Sequence, residues 1–254
     1  MDLQALPAFE DNYIWLLRDA DGRGLIVDPG QAAPVLAALA DAPEPHGILL
    51  THHHNDHIGG VPDLLQRWPG LPVIAPHDPR IAVATHRVED GDAAQLGPWR
   101  FDALAIPGHT SSHIGFHGHG LLFCGDTLFS LGCGRLFEGT PAQMLGSLRR
   151  LAALPGDTLV CCGHEYTVAN AAFALAVDPG NPALQDRAVQ ARRLRSNGKP
   201  TLPATLESER ACNPFLRSDA ATVRAAVAAH AGRHLHGAVD AFAELRRWKD
   251  SFRA

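Results

Sequence analysis

Two tyrosines, two methionines and five cysteines are all that this 254-residue chain holds of those residue types, and no apolar run approaches the ~20 residues of a membrane span. The opening stretch MDLQALPAFEDNYIW carries acids where a signal peptide would carry Lys or Arg, so a cytoplasmic protein with no membrane partner is expected. The cysteines, at positions 124, 133, 161, 162 and 212, form no CxxC pair. Their odd number and the adjacent Cys161 and Cys162 make a disulfide framework a poor reading, and reduced thiols are expected. No GxS step opens a nucleophile elbow, and neither GxGxxG nor GxxxxGK[ST] occurs. Covalent serine catalysis and the glycine-rich phosphate cradles are thereby disfavoured.

What is present is histidine, fifteen of them, with five between residues 46 and 57 and four between 109 and 119. Clustering of this kind points to a metal. The formal charge of −5 conceals a split: residues 1–180 hold 9 Lys/Arg against 20 Asp/Glu, and residues 181–254 hold 13 against 7. The basic end has few aromatics and no long basic run, so a small anionic ligand fits it better than nucleic acid. With 46% hydrophobic and 19% charged residues, the chain can bury a core in one large domain, or in one medium and one small.

Up to about residue 165, short β-rich runs end in turns: Gly24 to Asp28, Ile48 to Leu50, Pro72 to Ala75, Phe101 to Ile106, Leu121 to Cys124 and Leu159 to Cys162. Helical stretches lie between them, Ala32 to Ala40 and the segment after Thr140, where a Thr N-cap and a proline open MLGSLRRLAAL. Interleaving of this kind reads as α/β, with helices on the sheet faces. After His164 the pattern is helical: Val168 to Val177, Pro182 to Ser196, Ala220 to Ala231 and Ala238 to Lys249. DPGNP, NGKPTLP and CNPF separate these as loops.

Four of the strands run into a potential metal ligand, in THHHNDH, PGHTSSH, GDT and GHEY. Loops after strand ends are where ligands converge in α/β sheets, so His109, Asp126 and His164 can meet the first cluster. Alternate residues of an extended segment share a face, so His52 and His54 point together and His53 points elsewhere. The resulting sets are His52, His54 and His109 for one ion and Asp56, His57 and His164 for a second, with Asp126 able to bridge. Imidazole and carboxylate without thiolate suit zinc, iron or manganese. Packing several imidazoles and a carboxylate together costs desolvation unless a cation offsets it, so HxHxDH reads as a metal site rather than as core. Cys124, Cys161, Trp15 and Trp99 read as core.

THHHNDH, with His109, Asp126 and His164, resembles the HxHxDH signature of the metallo-β-lactamase superfamily. FEDNYIW, VDPG, THHHNDHIGG, PGHTSSH, FCGDTLFSLGCGRLFEGT, CGHEYT, NPFLR and RRWKDSF together resemble the glyoxalase II (hydroxyacylglutathione hydrolase) family over nearly the whole chain. The resemblance implies an αβ/βα four-layer sandwich over residues 1–168 and a small glutathione-binding helical domain over 169–254. It implies two divalent ions, zinc first, and catalytic roles for Asp56 and Asp126. It carries glutathione contacts onto Arg246 and Lys249 in RRWKDSF, onto Tyr166, and onto Arg135. Phe137 departs from the tyrosine of some members, which removes a hydroxyl contact there.

The implied reaction is hydrolysis of S-D-lactoylglutathione to D-lactate and glutathione by a monomeric enzyme of methylglyoxal detoxification. The nucleophile expected is a water bridging two ions roughly 3.5 to 4 Å apart, its pKa lowered from roughly 15.7 to about 7. A lactonase or β-lactamase on the same ligands would not need Arg246 and Lys249. A one-iron persulfide dioxygenase shares several ligands, but the complete set Asp56, His57 and His164 argues against it. A metal-binding protein without catalysis leaves the basic end without a role.

Overall fold

The computed structural model describes residues 1–253, among which fourteen strands and nine helices are formed. They belong to two compact units that interleave along the chain. One comprises Met1–Ala105, Ser112–Gly125 and Cys161–His164; the other comprises Ile106–Ser111, Asp126–Val160 and the chain from Glu165 onward.

In the first unit, β1 (Asp2–Ala8), β2 (Asn12–Arg18), β3 (Gly24–Val27), β4 (Gly47–Leu49), β5 (Val73–Pro76) and β6 (His86–Val88) lie side by side in chain order. The first three are antiparallel, whereas β3 to β6 are parallel. Parallel neighbours need crossovers, and two of these carry helices: α1 (Ala32–Ala38) after β3, then α2 (Asn55–Ile58) and α3 (Val61–Arg67) after β4. Alternation sends Leu6, Ile14, Leu16 and Ile26 to one face, where they pack with Val35 of α1 and with Val61 and Leu64 of α3. Tyr13, Trp15 and Leu17 face the other way and are buried too. That is why NYIWLLR shows no polar alternation. The Trp15 indole nitrogen donates to the Cys162 carbonyl at 2.9 Å. An antiparallel run completes the unit: β7 (Ala93–Leu96), β8 (Trp99–Ala105), β9 (Ile114–Gly118) and β10 (Leu121–Gly125).

The second unit holds the hairpin β11 (Leu128–Phe129) and β12 (Gly132–Cys133), then α4 (Pro141–Ala152), α5 (Thr167–Val177), α6 (Pro182–Ser196), α7 (Leu206–Cys212), α8 (Ala221–Ala231) and α9 (Gly237–Ser251). The strand β13 (Leu159–Cys162) crosses the boundary; Leu159 and Val160 pair with the short β14 (Ala204–Thr205). Helix α4 opens on a full capping box, in which Thr140 accepts from the Gln143 amide and the Gln143 side chain answers the Thr140 amide. Asn181 caps α6 ahead of Pro182, and Gly232 ends α8 in the left-handed conformation at φ 65°. Leu131, Ala171, Ala174, Leu184, Ala188 and Cys212 form one buried cluster. The five cysteines are buried and form no disulfide with one another.

The expected strands and long helices are present, and the architecture is an α/β sandwich with a helical C-terminal part. Strands β1, β2, β6, β7, β9, β11, β12 and β14 and helices α2, α3 and α7 come in addition to those expected. Helix α2 is a single turn of four residues, too short for a 3.6-residue period to show. No helix of the described residues is long and apolar enough to cross a membrane.

Candidate metal centre

In the first unit the chain leaves β4, passes Thr51 and His52, and enters α2 with His54 as its N-cap. Asp56 and His57 therefore lie on one helical turn and not on an extended segment, whereas His52 and His54 precede it. His52 Nε2 lies 3.1 Å from His54 Nδ1, so two ring nitrogens face one point, as the alternation predicts. His53 turns aside to Asp78, 3.5 Å away. Arg80 and Ser112 bind the Asp78 carboxylate, and the Arg80 side chain is the main reason its pKa falls well below the usual carboxylate range.

A metal-ligating imidazole presents one nitrogen to the ion and commits the other to an acceptor that fixes its tautomer. The rings here follow that rule. His57 Nδ1 lies 3.1 Å from Asp28 Oδ2, which makes it the protonated nitrogen, and Nε2 lies 3.6 Å from Asp56 Oδ2. His164 Nδ1 is held 2.8 Å from Asp11 Oδ1, with Nε2 3.4 Å from the same Asp56 oxygen. His52 Nδ1 is 3.0 Å from the Thr51 hydroxyl. The ligand atoms of Asp56, His57 and His164 lie within 4.8 Å of one another, as do those of Asp28, His52 and His57. Asp28 is already engaged by the Thr51 amide and hydroxyl and by His57, so it orients that ring. Asn12 does the same for Asp56, donating to Oδ2 at 3.0 Å.

Backbone geometry is committed to this cluster. Asp28 adopts a left-handed φ of 51°, a conformation that costs a non-glycine residue about 1–2 kcal/mol and that clusters at functional sites. Beside it Gly30 passes so close that a Cβ would stand 1.9 Å from the Asp56 carbonyl oxygen.

The second unit holds His109 and Asp126, with His109 Nε2 3.4 Å from Asp126 Oδ2. His109 Nδ1 is 3.0 Å from the Arg135 carbonyl, an acceptor only, so the proton sits on Nδ1, and the lone pair of Nε2, on the Asp126 side, suits a cation. Gly134 abuts Asp126 as Gly30 abuts Asp56: a Cβ there would lie 1.9 Å from the Asp126 carbonyl oxygen. Donors of this kind, imidazole nitrogens with their opposite nitrogens committed and carboxylates beside them, fit divalent zinc, iron or manganese.

The second unit also holds the residues expected to contact glutathione. Arg135 is exposed, its side chain 3.9 Å from Asp250. Arg246 is buried; it donates to the Cys133 carbonyl at 2.7 Å, meets Asp250 at 3.0 Å and covers the Phe215 ring. The half-buried Lys249 lies over Phe173, and burial, with Arg246 nearby, pushes its ammonium down to about 8. The Tyr166 ring meets Phe129 edge-on, and Phe137, 63% exposed, packs its ring against His109.

Reading the residues alone missed Asp11, Asn12, Asp28 and Thr51, which orient the ligands. FEDNYIW and VDPG contain three of them, and nothing local distinguishes these carboxylates from other surface acids. His113, stacked on His52 at 4.6 Å, was likewise not singled out.

Residues 8–164 match the metallo-beta-lactamase superfamily, and residues 165–252 match the hydroxyacylglutathione hydrolase C-terminus. A protein of Xylella fastidiosa (strain M23) named hydroxyacylglutathione hydrolase is 61% identical over 252 residues, 99% of this chain and 98% of the relative. Among solved structures, ETHE1 from Myxococcus xanthus superposes with a TM-score of 0.66 at 24% identity, over 99% of this chain and 91% of that one. TTHA1623, solved in a di-iron-bound form, gives 0.53 at 28% identity over 65% of this chain and 92% of its own.

Proposed function

The chain belongs to the hydroxyacylglutathione hydrolases of the metallo-β-lactamase superfamily, and from that premise we propose that it hydrolyses S-(2-hydroxyacyl)glutathione thioesters, S-D-lactoylglutathione first, to glutathione and the 2-hydroxy acid. The observation that carries this reading is the union in one chain of the oriented imidazole–carboxylate cluster with a C-terminal segment that matches the hydroxyacylglutathione hydrolase C-terminus. In this reading His52, His54 and His109 hold one divalent ion, Asp56, His57 and His164 hold a second, and Asp126 serves both. Zinc is the ion we assign, iron and manganese being the other outcomes of a metal analysis. Such ions, when bound, supply an acidified water and a Lewis acid for the thioester carbonyl.

The chain's own residues then do the positioning. Asn12 fixes one Asp56 oxygen, and Asp56 accepts a hydrogen bond from the attacking water and aims it. Water oxygen adds to the acyl carbon, the C–S bond breaks, and the leaving thiolate takes up the proton that the water released. Arg135, Tyr166, Arg246 and Lys249 hold the glutathione moiety. Arg135 is open to solvent, and Lys249 has two ammonium donors beyond the one near the Ala169 carbonyl. The buried Arg246 acts from beneath, through its charge and its hold on Cys133 and Asp250.

The test is to load the purified protein with zinc, add S-D-lactoylglutathione, and follow thioester absorbance and free thiol together. Loss of the thioester with one thiol released per turnover is expected. A metal-loaded sample that does not turn over would sink the reading, and oxygen uptake with glutathione persulfide would replace it with an oxidation.

A further inference from the structure

Between Asp126 and Arg135 the chain runs through the hairpin β11–β12, whose loop is the two residues Ser130 and Leu131. Both ends of this hairpin touch the proposed chemistry. Thr127 accepts from the Gly134 amide, Gly134 is pressed against the Asp126 backbone, and Arg135 offers the carbonyl that orients His109. The loop is a poor turn on its own terms. Leu131 sits at φ 59°, where a short hairpin wants glycine or asparagine. Two paired residues on each side add little.

The helices supply what the loop lacks. Glu209 of α7, fully buried, accepts from the Leu131 amide at 2.8 Å, from the Ser130 hydroxyl at 2.7 Å and from the Asn213 amide at 3.1 Å. Asn213 in turn donates to the carbonyls of Phe129 and Gly132, both at 3.0 Å. Asn170 of α5 donates to the Ser130 carbonyl at 3.0 Å, and Arg187 of α6 reaches the Ser130 hydroxyl. The hairpin is therefore hydrogen-bonded by buried side chains of three helices, with one carboxylate at the strained residue.

We propose that Glu209 is a positioning residue of the hydrolytic reaction, its carboxylate locking the Ser130–Leu131 loop so that the Arg135 carbonyl holds the His109 ring in register with Asp126. The inference rests on the roles proposed above for His109 and Asp126. It makes the helical part of the chain a component of the metal centre in addition to its holding of glutathione. The carboxylate works by geometry: burial pushes its proton affinity up, and a neutral amide can make the same contacts. A glutamine accepts from Leu131 and Asn213 through its oxygen and donates to Ser130, whose hydroxyl is free to rotate.

Four proteins test it: wild type, Glu209→Gln, Glu209→Ala and, as a control for lost packing in the same unit away from the hairpin, Val227→Ala of α8. Each is measured for kcat, KM and zinc affinity by chelator competition, normalised to the folded fraction by circular dichroism. Glu209→Ala should lower kcat by about 10- to 100-fold and weaken zinc by about tenfold, with KM changed less than threefold, since misplacement of about 1 Å can cost on this scale. Glu209→Gln should restore both to within about threefold of wild type, and Val227→Ala should leave both unchanged per folded molecule. Equal losses in Glu209→Ala and Val227→Ala, or wild-type kcat and zinc affinity in Glu209→Ala, overturn the proposal. If Glu209→Ala does not fold, Ser130→Ala removes one of the same contacts and should lower kcat and zinc affinity by about threefold, no change being the overturning result. Zinc affinity is read without substrate, so a wild type inactive on the thioester defeats the functional reading while the zinc comparison still decides the role of Glu209.

Discussion

In the first unit the chemistry-bearing groups, His164 apart, crowd into six residues, His52 to His57, and the orienting partners come from the ends of a buried sheet: Asp28 just past β3, Asn12 at the start of β2, and Asp11 beside it for His164. In the second unit His109 and Asp126 stand seventeen positions apart, a spacing read directly from their numbers, and the geometry between them depends on a hairpin that its own residues cannot hold. Two solutions to one problem result. Strand ends orient imidazoles wherever a sheet is already packed, whereas a short loop needs side chains brought from elsewhere. The same contrast governs glycine, since Gly30 lets the β3 exit approach Asp56 and Gly134 lets the hairpin exit approach Asp126.

The strongest way to break the comparison is to remove one ligand from each unit. His57→Ala and Asp126→Ala should each lower kcat/KM by roughly 10³-fold and reduce bound metal, because several kcal/mol of charge stabilisation depend on the ions. A mild effect in either, in thioester assays with metal analysis, would show that the units do not share the chemistry.

Next comes the orienting layer. Asp28→Asn should weaken metal affinity by about 10- to 100-fold, since an amide presents a donor where His57 and Thr51 need an acceptor. Asp11→Asn, at a half-exposed position where water can substitute, should cost less than about tenfold. Chelator competition on both variants ranks the two partners, and a larger loss at Asp11 would contradict the ranking.

The smallest effect is expected at the basic end. Lys249→Ala should raise KM for the glutathione substrate by about threefold with kcat little changed, the signature of binding energy shared by ground and transition states. The Lys249 ammonium is pushed down to about 8, so its charge is lost as pH rises through that value and KM should climb above it. Lys249→Arg, which stays charged, should flatten that rise. A KM profile unchanged by the substitution would remove Lys249 from the glutathione site.

Much of the fold was legible. Strands β3, β4, β5, β8, β10 and β13 announce themselves as apolar runs closed by turns, α4 by its cap, and α6 and α8 by their Ala- and Arg-rich composition. Strand β2 was harder because burial on both faces erases alternation, and α2 because one turn has no period. Among the site residues, the cluster from His52 to His57 is visible because its members are neighbours in sequence. His109, Asp126 and His164 follow from their places just after strands.

The partners of those ligands could not be read in the same way. Asp11 meets His164 across 153 positions, Asp28 meets His57 across 29, and Glu209 reaches Leu131 across 78. A lone acid carries no local mark of such a role, since its hydrogen bonds exist only once distant segments are packed. The sequence by itself determined the ligand types, their spacing at strand ends and the cationic end of the chain, because these are properties of neighbouring residues. Which ring nitrogen is committed, which cation is buried and which helix braces the Asp126 hairpin were decided by the tertiary structure, because each depends on long-range contact and burial.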